Sequence, residues 1–488
     1  MDLLAFDLGA SSGKTFHGVF DGQNISLEPL NRFNHAPIDV NGELFWNILG
    51  IFEHFRTGIR KANSIGKNII SIGMDSFSND FGLLDNDGYF INQVHCYRDS
   101  RTKRNAKKIY SMIPKQKLYQ LSGNQNALFT PLMQFASMCL EKQAYLLQGA
   151  GSFLFLPDLF TYFLTGEIAS EYTISSVSQM FNFPLNDWSD EIIDTFAFPR
   201  NIFPQIVQPG TIVGKIEKSS GLTNGNRKIA VVSVCEHDTA SAFLAAPHGS
   251  DSIIISSGTW SLVGIESASH VINDFGYEHN IANEGGFPGH HRLLKNVMGL
   301  WLVQECQRYF LNNGTEHSIG DFIELAEKAK PMQCLINPND EIFFSPGNMP
   351  QKIMSYCGQH GQNVPETPGE IIRCIFESLA FHYRYVIEEI EAISEKEYSS
   401  INIVGGGCLN TMLNQLTANV TNRCVYAGPD EATALGNLMV QLIAHGEIAS
   451  VEEGREIIKR SFRVREYTPN DSDLWHEKYQ AYLKIVRS

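Results

Sequence analysis

A turn rich in small residues follows the first apolar run of the chain. Residues 7–15 read DLGASSGKT and come directly after the apolar residues 3–6. Backbone N–H groups and hydroxyls in such a turn can surround phosphate oxygens, and Asp7 could hold Mg²⁺ beside them through water. The spacing from Gly9 to Gly13 is too short for a P-loop, and a strand pattern rather than a helix follows. The residues therefore predict a phosphate-binding hairpin, with a tight hairpin that binds nothing as the alternative.

A carboxylate follows a second buried strand. Residues 237–241 read HDTAS and come shortly after an apolar strand pattern at residues 229–234. Asp238 at such a strand end could accept the proton of a substrate hydroxyl. An Asp before Thr-Ala-Ser also starts a helix well, so helix capping is the alternative role. Glu236 could also be the acid, and the residues alone leave that choice open.

Two later turns have a similar character. Residues 256–261 read SSGTWS, and residues 405–407 are three glycines between a strand pattern and a helix pattern. Each is an ordinary turn when taken alone, although a nucleotide could approach the glycine backbone closely. The combination is more specific, because two hydroxyl-rich turns, an Asp on each side and a late glycine turn suit an ATP cleft between duplicated domains.

The elements that must position these turns alternate between strands and helices. Near the N-terminus the patterns predict strands at residues 3–6, 14–20, 24–29 and 69–74. They also predict a helix at residues 42–63 and a hairpin at residues 83–91. Residues 105–200 are mostly helical. Further strands are predicted at residues 229–234, 252–256, 260–266 and 401–404, and further helices at residues 369–395 and 410–419. Hairpin strands followed by a helix and a strand indicate a mixed α/β layer, and the similar starts near residues 1 and 250 predict two halves with a cleft between them.

The composition limits the partners of such a site. The chain has 488 residues, with 38 Lys and Arg against 53 Asp and Glu, and a net charge of −15. That surface repels nucleic-acid backbones and anionic lipid, so neither is an expected partner. Nine cysteines without a C-x-x-C pair, and an N-terminus without a signal-peptide pattern, predict a cytoplasmic protein. The apolar residues 153–164 are too few to cross a membrane.

The motifs as a set resemble those of the FGGY carbohydrate kinases, in the superfamily of actin, sugar kinases and heat-shock-protein ATPases. Within that family the sequence is most similar to the bacterial rhamnulokinases. The resemblance lies at residues 7–13, 97–102, 237–242, 256–262, 283–286, 294–301, 403–407 and 427–434. It implies two ribonuclease-H-like domains with an ATP cleft between them, a sugar- and phosphate-binding domain at residues 1–249 and a nucleotide-binding domain at residues 250–488.

The resemblance also implies a role for individual residues. Asp238 is the expected general base for the terminal hydroxyl of a ketose, and Asp7 lies near Mg²⁺. The expected contacts to ATP are Ala10, Ser11, Ser12, Gly13, Lys14, Thr259, Gln304 and Gly406. The expected contacts to the sugar are Ser78, His237, Thr239 and Asn296. The implied reaction phosphorylates L-rhamnulose to L-rhamnulose 1-phosphate in L-rhamnose catabolism, by a monomer or homodimer.

Several positions depart from the rhamnulokinase pattern. Lys14 stands where Arg is usual, which keeps the charge but loses the planar guanidinium. Ser78 and Asn79 stand where Gly and Val usually line the sugar pocket, and Glu236 replaces a usual Ser. L-Fuculose or a related ketose is therefore the alternative substrate, and an ATPase without a sugar acceptor is the alternative of a different class. Two cysteines of this chain, at positions 357 and 374, also occur in rhamnulokinases, and we expect two free thiols there rather than a disulfide.

Overall fold

The chain folds into two compact units. The structure is a computed structural model that describes residues 1–216, 221–223, 228–248, 251–470 and 472–487. Unit 1 comprises Met1–Ala245, Glu266–Leu293 and Thr433–Ser461, and unit 2 comprises Ala246–Ile265, Leu294–Ala432 and Phe462–Ser488. The predicted domain boundary at residues 249 and 250 lies outside the described residues and stays a prediction. None of the described helices is both long and apolar enough to span a membrane.

The strands are numbered in chain order. They are β1 Asp2–Leu8, β2 Ser12–Phe20, β3 Ile25–Asn34, β4 Ile38–Val40, β5 Glu43–Phe45, β6 Ile69–Ser76, β7 Phe81–Leu84, β8 Ser152–Phe155, β9 Ser170–Glu171, β10 Phe181–Asn182, β11 Asp187–Trp188, β12 Ile206–Val207, β13 Thr211–Ile216, β14 Ile229–Ser233, β15 Ile253–Ser257, β16 Trp260–Ser267, β17 Ala282–Gly285, β18 His291–Met298, β19 Ser400–Val404, β20 Cys424–Ala427 and β21 Arg465–Tyr467.

The helices are numbered in the same way. They are α1 Ile48–Ser64, α2 Arg101–Met112, α3 Lys115–Ser122, α4 Pro131–Leu140, α5 Ala144–Gly149, α6 Leu156–Thr165, α7 Tyr172–Ser176, α8 Asp190–Phe196, α9 Asp238–Leu244, α10 Asp274–Glu278, α11 Trp301–Asn312, α12 Ile319–Lys328, α13 Met349–Gln359, α14 Pro368–Ser394, α15 Thr411–Thr421, α16 Ala432–Ala444, α17 Val451–Ser461 and α18 Ser472–Val486.

Unit 1 is built on a sheet of six strands in the order β13-β14-β6-β1-β2-β3. Strand β1 pairs antiparallel with β2 and parallel with β6, and β14 pairs parallel with β6. Strand β1 lies inside the sheet and is an apolar run because both of its faces are covered. Phe55 and Ile59 of α1 belong to the same buried core as Leu4 and Phe6 of β1. On α16, Gln441 donates a hydrogen bond to the Leu4 carbonyl (2.9 Å).

The sheet of unit 2 repeats this topology. Five of its strands follow one another in the order β16-β15-β19-β20-β21. Strand β15 pairs antiparallel with β16 and parallel with β19, which pairs parallel with β20, and β20 pairs antiparallel with β21. The strands β2-β1-β6-β14-β13 of unit 1 have the same order and the same directions. The duplicated mixed α/β fold that the sequence predicts is thus confirmed.

Two predicted elements have different bounds in the structure. The first helix begins at Ile48 rather than near residue 42, because the Asn47 side chain caps it by accepting a hydrogen bond from the Gly50 amide. The predicted hairpin at residues 83–91 is confirmed as a short one, with an antiparallel bridge between Leu84 and Phe90 and a hydrogen bond from the Ile91 amide to the Leu83 carbonyl (3.0 Å). Strand β7 also pairs with β8, which the sequence did not indicate.

Candidate active site

Three carboxylates lie where strands of the unit 1 sheet end. Asp7 is opposite Asp75 in the parallel pair of β1 and β6. Ser76 at the end of β6 forms a parallel bridge with His237, which directly precedes Asp238. Because the carboxyl ends of parallel strands meet at one edge of a sheet, this edge is a common position for ligand sites. Asp7, Asp75 and Asp238 are therefore gathered at the same edge of unit 1.

Asp75 is the most deeply buried of the three, with 1% of its surface exposed. Its Oδ2 accepts a hydrogen bond from Asn437 Nδ2 (2.6 Å), whereas its buried Oδ1 has no hydrogen-bond partner among the described residues. Burial raises the pKa of Asp75 well above its usual range, and the charges of Asp7 and Asp238 add to this rise. A bound cation would remove that repulsion. Oxygen donors of this kind fit Mg²⁺, so the residues at this edge suit the metal that the family implies.

The predicted phosphate turn connects β1 to β2. His35 holds it from one side, because its ring Nε2 lies 2.8 Å from the Gly9 carbonyl and its amide donates to the Ser11 carbonyl (3.1 Å). Gly13 is required here, since a Cβ at that position would overlap the Phe33 ring. Strand β2 begins at Ser12, which confirms that a strand and not a P-loop helix follows the turn.

The other predicted residues of this turn have different degrees of exposure. Ser11 is exposed, and Ala10, Ser12 and Lys14 are partly buried. Lys14 pairs with Asp7 across the two strands, and its Nζ lies 5.7 Å from the centre of the Phe16 ring. The turn therefore brings hydroxyl groups and one cation next to the carboxylate edge of the sheet.

Asp238 is the first residue of α9, and about a quarter of its side chain (27%) is exposed. Its Oδ1 accepts hydrogen bonds from the Thr239 amide (2.6 Å) and hydroxyl (3.2 Å). Its Oδ1 also lies 3.5 Å from His237 Nε2. Burial raises the pKa of Asp238, while His237 and the Thr239 amide counteract that rise. The site thus contains a carboxylate that is accessible and poised to take up a proton.

An ion pair that the sequence did not indicate lies behind His237. Arg292 is fully buried, and its Nη2 lies 3.0 Å from His237 Nδ1 and 2.9 Å from Glu284 Oε2. His237 Nδ1 also lies 3.3 Å from Glu284 Oε2, so the buried ion pair holds the His237 ring with its Nε2 towards Asp238. Arg292 comes from β18, 55 residues further along the chain than His237, so no local pattern links the two.

Glu236 is not suited to the role of the proton acceptor. Its side chain is buried, with 1% of the residue exposed, and its Oε1 accepts a hydrogen bond from the Ser233 hydroxyl (2.9 Å). Burial raises the pKa of Glu236 well above its usual range, and the neighbouring Asp158 and Glu171 raise it further. The carboxyl group is therefore enclosed in the core of unit 1, and Asp238 is the accessible acid of the pair.

The segment after β6 carries the predicted sugar contact Ser78. The Ser78 hydroxyl accepts a hydrogen bond from Asn79 Nδ2 (2.9 Å). Asn79 has a positive φ of 91°, a region that Asn enters more readily than β-branched residues do. Asp80 accepts hydrogen bonds from Trp46 Nε1 (2.6 Å) and Gln134 Nε2 (3.0 Å), and burial raises its pKa to about 7. These contacts fix the backbone on which Ser78 lies.

Unit 2 brings together two of the predicted nucleotide contacts. Thr259 follows β15, and its hydroxyl donates to Gln304 Oε1 in α11 (3.2 Å).

The predicted sugar contact Asn296 lies in β18, where its carbonyl accepts a hydrogen bond from Asn339 (3.2 Å). The buried Oδ1 of Asn296 has no hydrogen-bond partner in the described part of the chain. A ligand hydroxyl would satisfy that acceptor.

The three-glycine turn after β19 packs against the end of β15. A Cβ on Gly407 would overlap the Ser257 side chain, and Gly405 has a φ of +79°. Gly406 differs, because it is exposed and no described atom lies within 4 Å of a Cβ placed there. The structure therefore explains the glycines on either side by packing and conformation, and it leaves space beside Gly406.

Models of one protein family match both halves of the chain. The N-terminal domain of the FGGY family of carbohydrate kinases matches residues 3–245, and its C-terminal domain matches residues 253–445. The chain belongs to the FGGY family of carbohydrate kinases. It is accordingly a phosphotransferase that acts on a sugar.

Individual relatives of this FGGY kinase cover almost all of its length. A rhamnulokinase from Bacteroides thetaiotaomicron is 38% identical over 487 residues, which are 100% of this chain and 99% of the relative. A xylulose kinase from Lactobacillus acidophilus has a TM-score of 0.82 at 16% identity, covering 99% of this chain and 97% of that one. Plasmodium falciparum glycerol kinase with ADP has a TM-score of 0.80 at 14% identity, and the match covers 100% of this chain and 97% of that one. The two structures share the fold of this chain.

Sequence reasoning missed residues that support the site from behind. Asp75 ends a predicted strand, and Glu284 lies in one of the family motifs, so a signal existed for each. Arg292 and His35 have no comparable signal, because their contacts join segments far apart in the chain. The roles of the predicted ATP and sugar contacts stay predictions.

Proposed function

We propose that this FGGY kinase transfers the γ-phosphoryl group of ATP to the terminal hydroxyl of L-rhamnulose and forms L-rhamnulose 1-phosphate. The full-length identity of 38% to a rhamnulokinase is the observation that carries the choice of sugar. The accessible carboxylate of Asp238 at the end of the unit 1 sheet supports the reaction type. ATP as the phosphate donor agrees with the family and with the ADP of the structurally similar glycerol kinase.

Asp238 acts as the general base in this proposal. Its carboxylate accepts the proton of the sugar hydroxyl as that oxygen attacks the phosphorus atom. His237 Nε2 lies 3.5 Å from the Asp238 carboxylate and stabilises its ionised form. Arg292 holds the His237 ring in place through Nδ1 (3.0 Å) and is a positioning residue. The raised pKa of Asp238 brings its proton affinity closer to the working pH, which favours proton transfer.

Phosphate and nucleotide binding is assigned to two groups of residues. In unit 1 the turn with Ala10, Ser11, Ser12, Gly13 and Lys14 would bind phosphate oxygens. In unit 2 the contacts would be Thr259, Gln304 and Gly406. Because the protein carries a net charge of −15, no general positive field attracts ATP, and Lys14 together with backbone N–H groups must supply the local attraction.

Mg²⁺ would be held at the edge of the sheet where Asp7 and Asp75 face each other. When bound, it supplies neutralisation of the phosphate charges. The buried, unpartnered Oδ1 of Asp75 among the described residues supports this assignment.

The sugar would contact side chains that donate hydrogen bonds and side chains that accept them. Ser78 and Thr239 offer hydroxyls, His237 lies beside the base, and Asn296 offers a buried acceptor oxygen. Ser78 Oγ already accepts a hydrogen bond from Asn79, so its own proton is available to a sugar oxygen. Ser78 and Asn79 stand where rhamnulokinases usually have Gly and Val, and this difference favours L-fuculose, an epimeric ketose, as the second candidate substrate.

A ketose panel distinguishes these substrates. ADP release is measured with L-rhamnulose, L-fuculose, L-ribulose, L-xylulose and D-xylulose at several concentrations of each sugar. We expect the highest kcat/KM with L-rhamnulose. A higher kcat/KM with L-fuculose would replace the proposed sugar, and the absence of turnover with every ketose would contradict the proposed function.

The variant Asp238→Asn addresses the base directly. We expect its kcat to fall by roughly 10²–10⁴, the usual size of an acid–base contribution, while ATP binding measured by calorimetry is retained. Asp190→Asn is a matched control, because Asp190 is exposed and pairs with Arg200 on the surface. Turnover of Asp238→Asn at the wild-type rate would refute the assignment.

A further inference from the structure

Three cysteines from separate segments of unit 2 form a cluster. Cys334 precedes α13, Cys357 lies in α13 and Cys374 lies in α14. Their Sγ atoms all lie within 4.8 Å of one another. The three residues are buried, with exposed fractions of 4%, 0% and 2%. All three are free thiols, so each sulfur is available as a ligand.

The segment that carries Cys334 is fixed by hydrogen bonds to the two helices and the turn after α13. The Leu335 amide donates to Gln362 Oε1 (2.8 Å), and Gln362 Nε2 donates back to the Leu335 carbonyl (2.7 Å). The Ile336 amide donates to the Ser378 hydroxyl in α14 (2.9 Å). A loop anchored in this way keeps its thiol beside the two helical thiols, and little ordering is needed when a ligand binds.

The cluster has charged neighbours in α14. Glu370 and Glu377 lie close enough to interact electrostatically with Cys334, and Glu377 pairs with Arg373 (2.7 Å). The thiolate is the form that binds metal ions, so binding of a cation releases the thiol protons.

The donor set indicates the class of ion. Thiolate sulfur prefers soft cations such as copper(I) and zinc. A structural zinc site takes four protein ligands, whereas in the described part of the chain the group of possible ligands contains only these three sulfurs. Copper(I) accepts three sulfur ligands in a plane. With metal–sulfur bonds of about 2.3 Å, a planar site places its sulfurs about 4.0 Å apart, which is compatible with the observed cluster.

We propose that Cys334, Cys357 and Cys374 bind one copper(I) ion, at a site separate from the residues assigned to phosphoryl transfer. The ion replaces the protons of the thiols that are still protonated, and these protons pass to the solvent. No electron is transferred in this step. The bound ion joins the loop at Cys334 to α13 and α14, so we expect it to stabilise unit 2.

Metal titration of the reduced full-length protein without oxygen tests the proposal. The protein is desalted after incubation with copper(I), and bound copper, thermal unfolding and X-ray absorption are measured. We expect one copper per chain, three sulfur ligands at about 2.3 Å and a higher Tm with copper. We expect Cys334→Ser to lose at least about tenfold in copper affinity, an effect of about 1.4 kcal/mol. Cys306→Ser is the matched control, because Cys306 is a fully buried thiol outside the cluster.

Several results would overturn the proposal. These are an absence of stoichiometric copper, the same copper affinity in Cys334→Ser as in Cys306→Ser, fewer than three sulfur ligands, or preferential binding of zinc with four ligands. A disulfide between Cys357 and Cys374 in the protein as isolated, before reduction, would also overturn it. If Cys334→Ser does not fold, the copper content and X-ray absorption of the wild-type protein still decide the question.

Discussion

At the scale of single residues, the charge state of Asp238 depends on contacts behind it. His237 lies between Asp238 and Arg292, with its Nε2 3.5 Å from the carboxylate and its Nδ1 3.0 Å from the guanidinium. His237 and Arg292 both lower the pKa of Asp238 against the larger effect of burial. The buried pair of Arg292 and Glu284 (2.9 Å) is therefore expected to influence catalysis without touching the substrate.

The variant Arg292→Gln measures this influence. Removal of the guanidinium raises the pKa of Asp238 further, so the acidic limb of the kcat/KM profile moves to higher pH. Because His237 loses the guanidinium that holds its ring in place, we also expect kcat to fall by about tenfold, or about 1.4 kcal/mol. The KM for ATP stays near the wild-type value. The measurement is kcat and KM as functions of pH, with Arg292→Lys expected to restore part of the profile.

A stability effect must be separated from this catalytic effect. Arg292→Gln leaves Glu284 as a buried charge without its partner, and breaking a buried pair in this way costs about 3–5 kcal/mol of unfolding free energy. The double variant Arg292→Gln/Glu284→Gln removes that charge and should regain Tm but not the wild-type pH profile. An unchanged acidic limb in a folded Arg292→Gln protein would show that Arg292 does not act on Asp238.

At the scale of secondary-structure elements, α16 packs very closely against the elements that carry the carboxylates of unit 1. A Cβ on Gly436 of α16 would overlap the backbone carbonyl of Ser241 in α9, the helix that begins with Asp238. A Cβ on Gly73 of β6 would likewise overlap Asn437 and Val234. These glycines allow the close approach, so α16 is expected to fix the position of α9.

The variant Gly436→Ala should therefore reduce both stability and activity. The overlap with a helix backbone cannot be relieved by a rotamer change, and overpacking of this kind costs about 1–3 kcal/mol of unfolding free energy. A displaced α9 moves Asp238, so we expect kcat to fall as well. Denaturant unfolding and steady-state kinetics measure the two effects. Gly358→Ala is the control, because this glycine is exposed in α13, its Cβ meets its nearest neighbour at 3.6 Å, and alanine favours a helix by about 1 kcal/mol. Equal stability of both variants would contradict the tight packing of α16.

At the scale of the whole molecule, local patterns predict the duplicated fold well and the support of the site poorly. Apolar runs that end in small-residue turns mark β1 and β15, and each is followed by an antiparallel strand. Asp238 is recognisable because it comes four residues after an apolar run, at residues 229–234. The contact between Arg292 and His237 depends instead on tertiary structure. The pairing of β7 with β8 was missed for the same reason, since β8 lies far from β7 in the sequence.

Buried titratable groups of opposite type are spread through the molecule. Burial raises the pKa of Asp158 to about 7 and that of Glu171 to about 8. Burial lowers the pKa of His95 to about 4 and that of His382 to about 3. The folded state therefore keeps the acids protonated and the histidines neutral over a shared range of pH. Stability is lost as pH falls below about 6.5, where the unfolded histidines gain protons, and as pH rises towards 8, where the unfolded acids are already ionised.

From pH 7 to 8 the acids of this set outweigh the histidines in the pH dependence, which gives a clear sign. A group whose folded pKa is raised binds more protons in the folded state, so the free energy of unfolding falls as pH rises from 7 to about 8. The slope is about 1.4 kcal/mol per pH unit for each net proton. Glu171→Gln removes one such group, and we expect a shallower slope in urea unfolding measured between these pH values. Glu324→Gln in α12 is exposed and should leave the slope unchanged. A free energy of unfolding that stays level from pH 7 to 8 would show that these buried acids are already ionised in the folded protein, and that contacts in the core of unit 1 stabilise their charge.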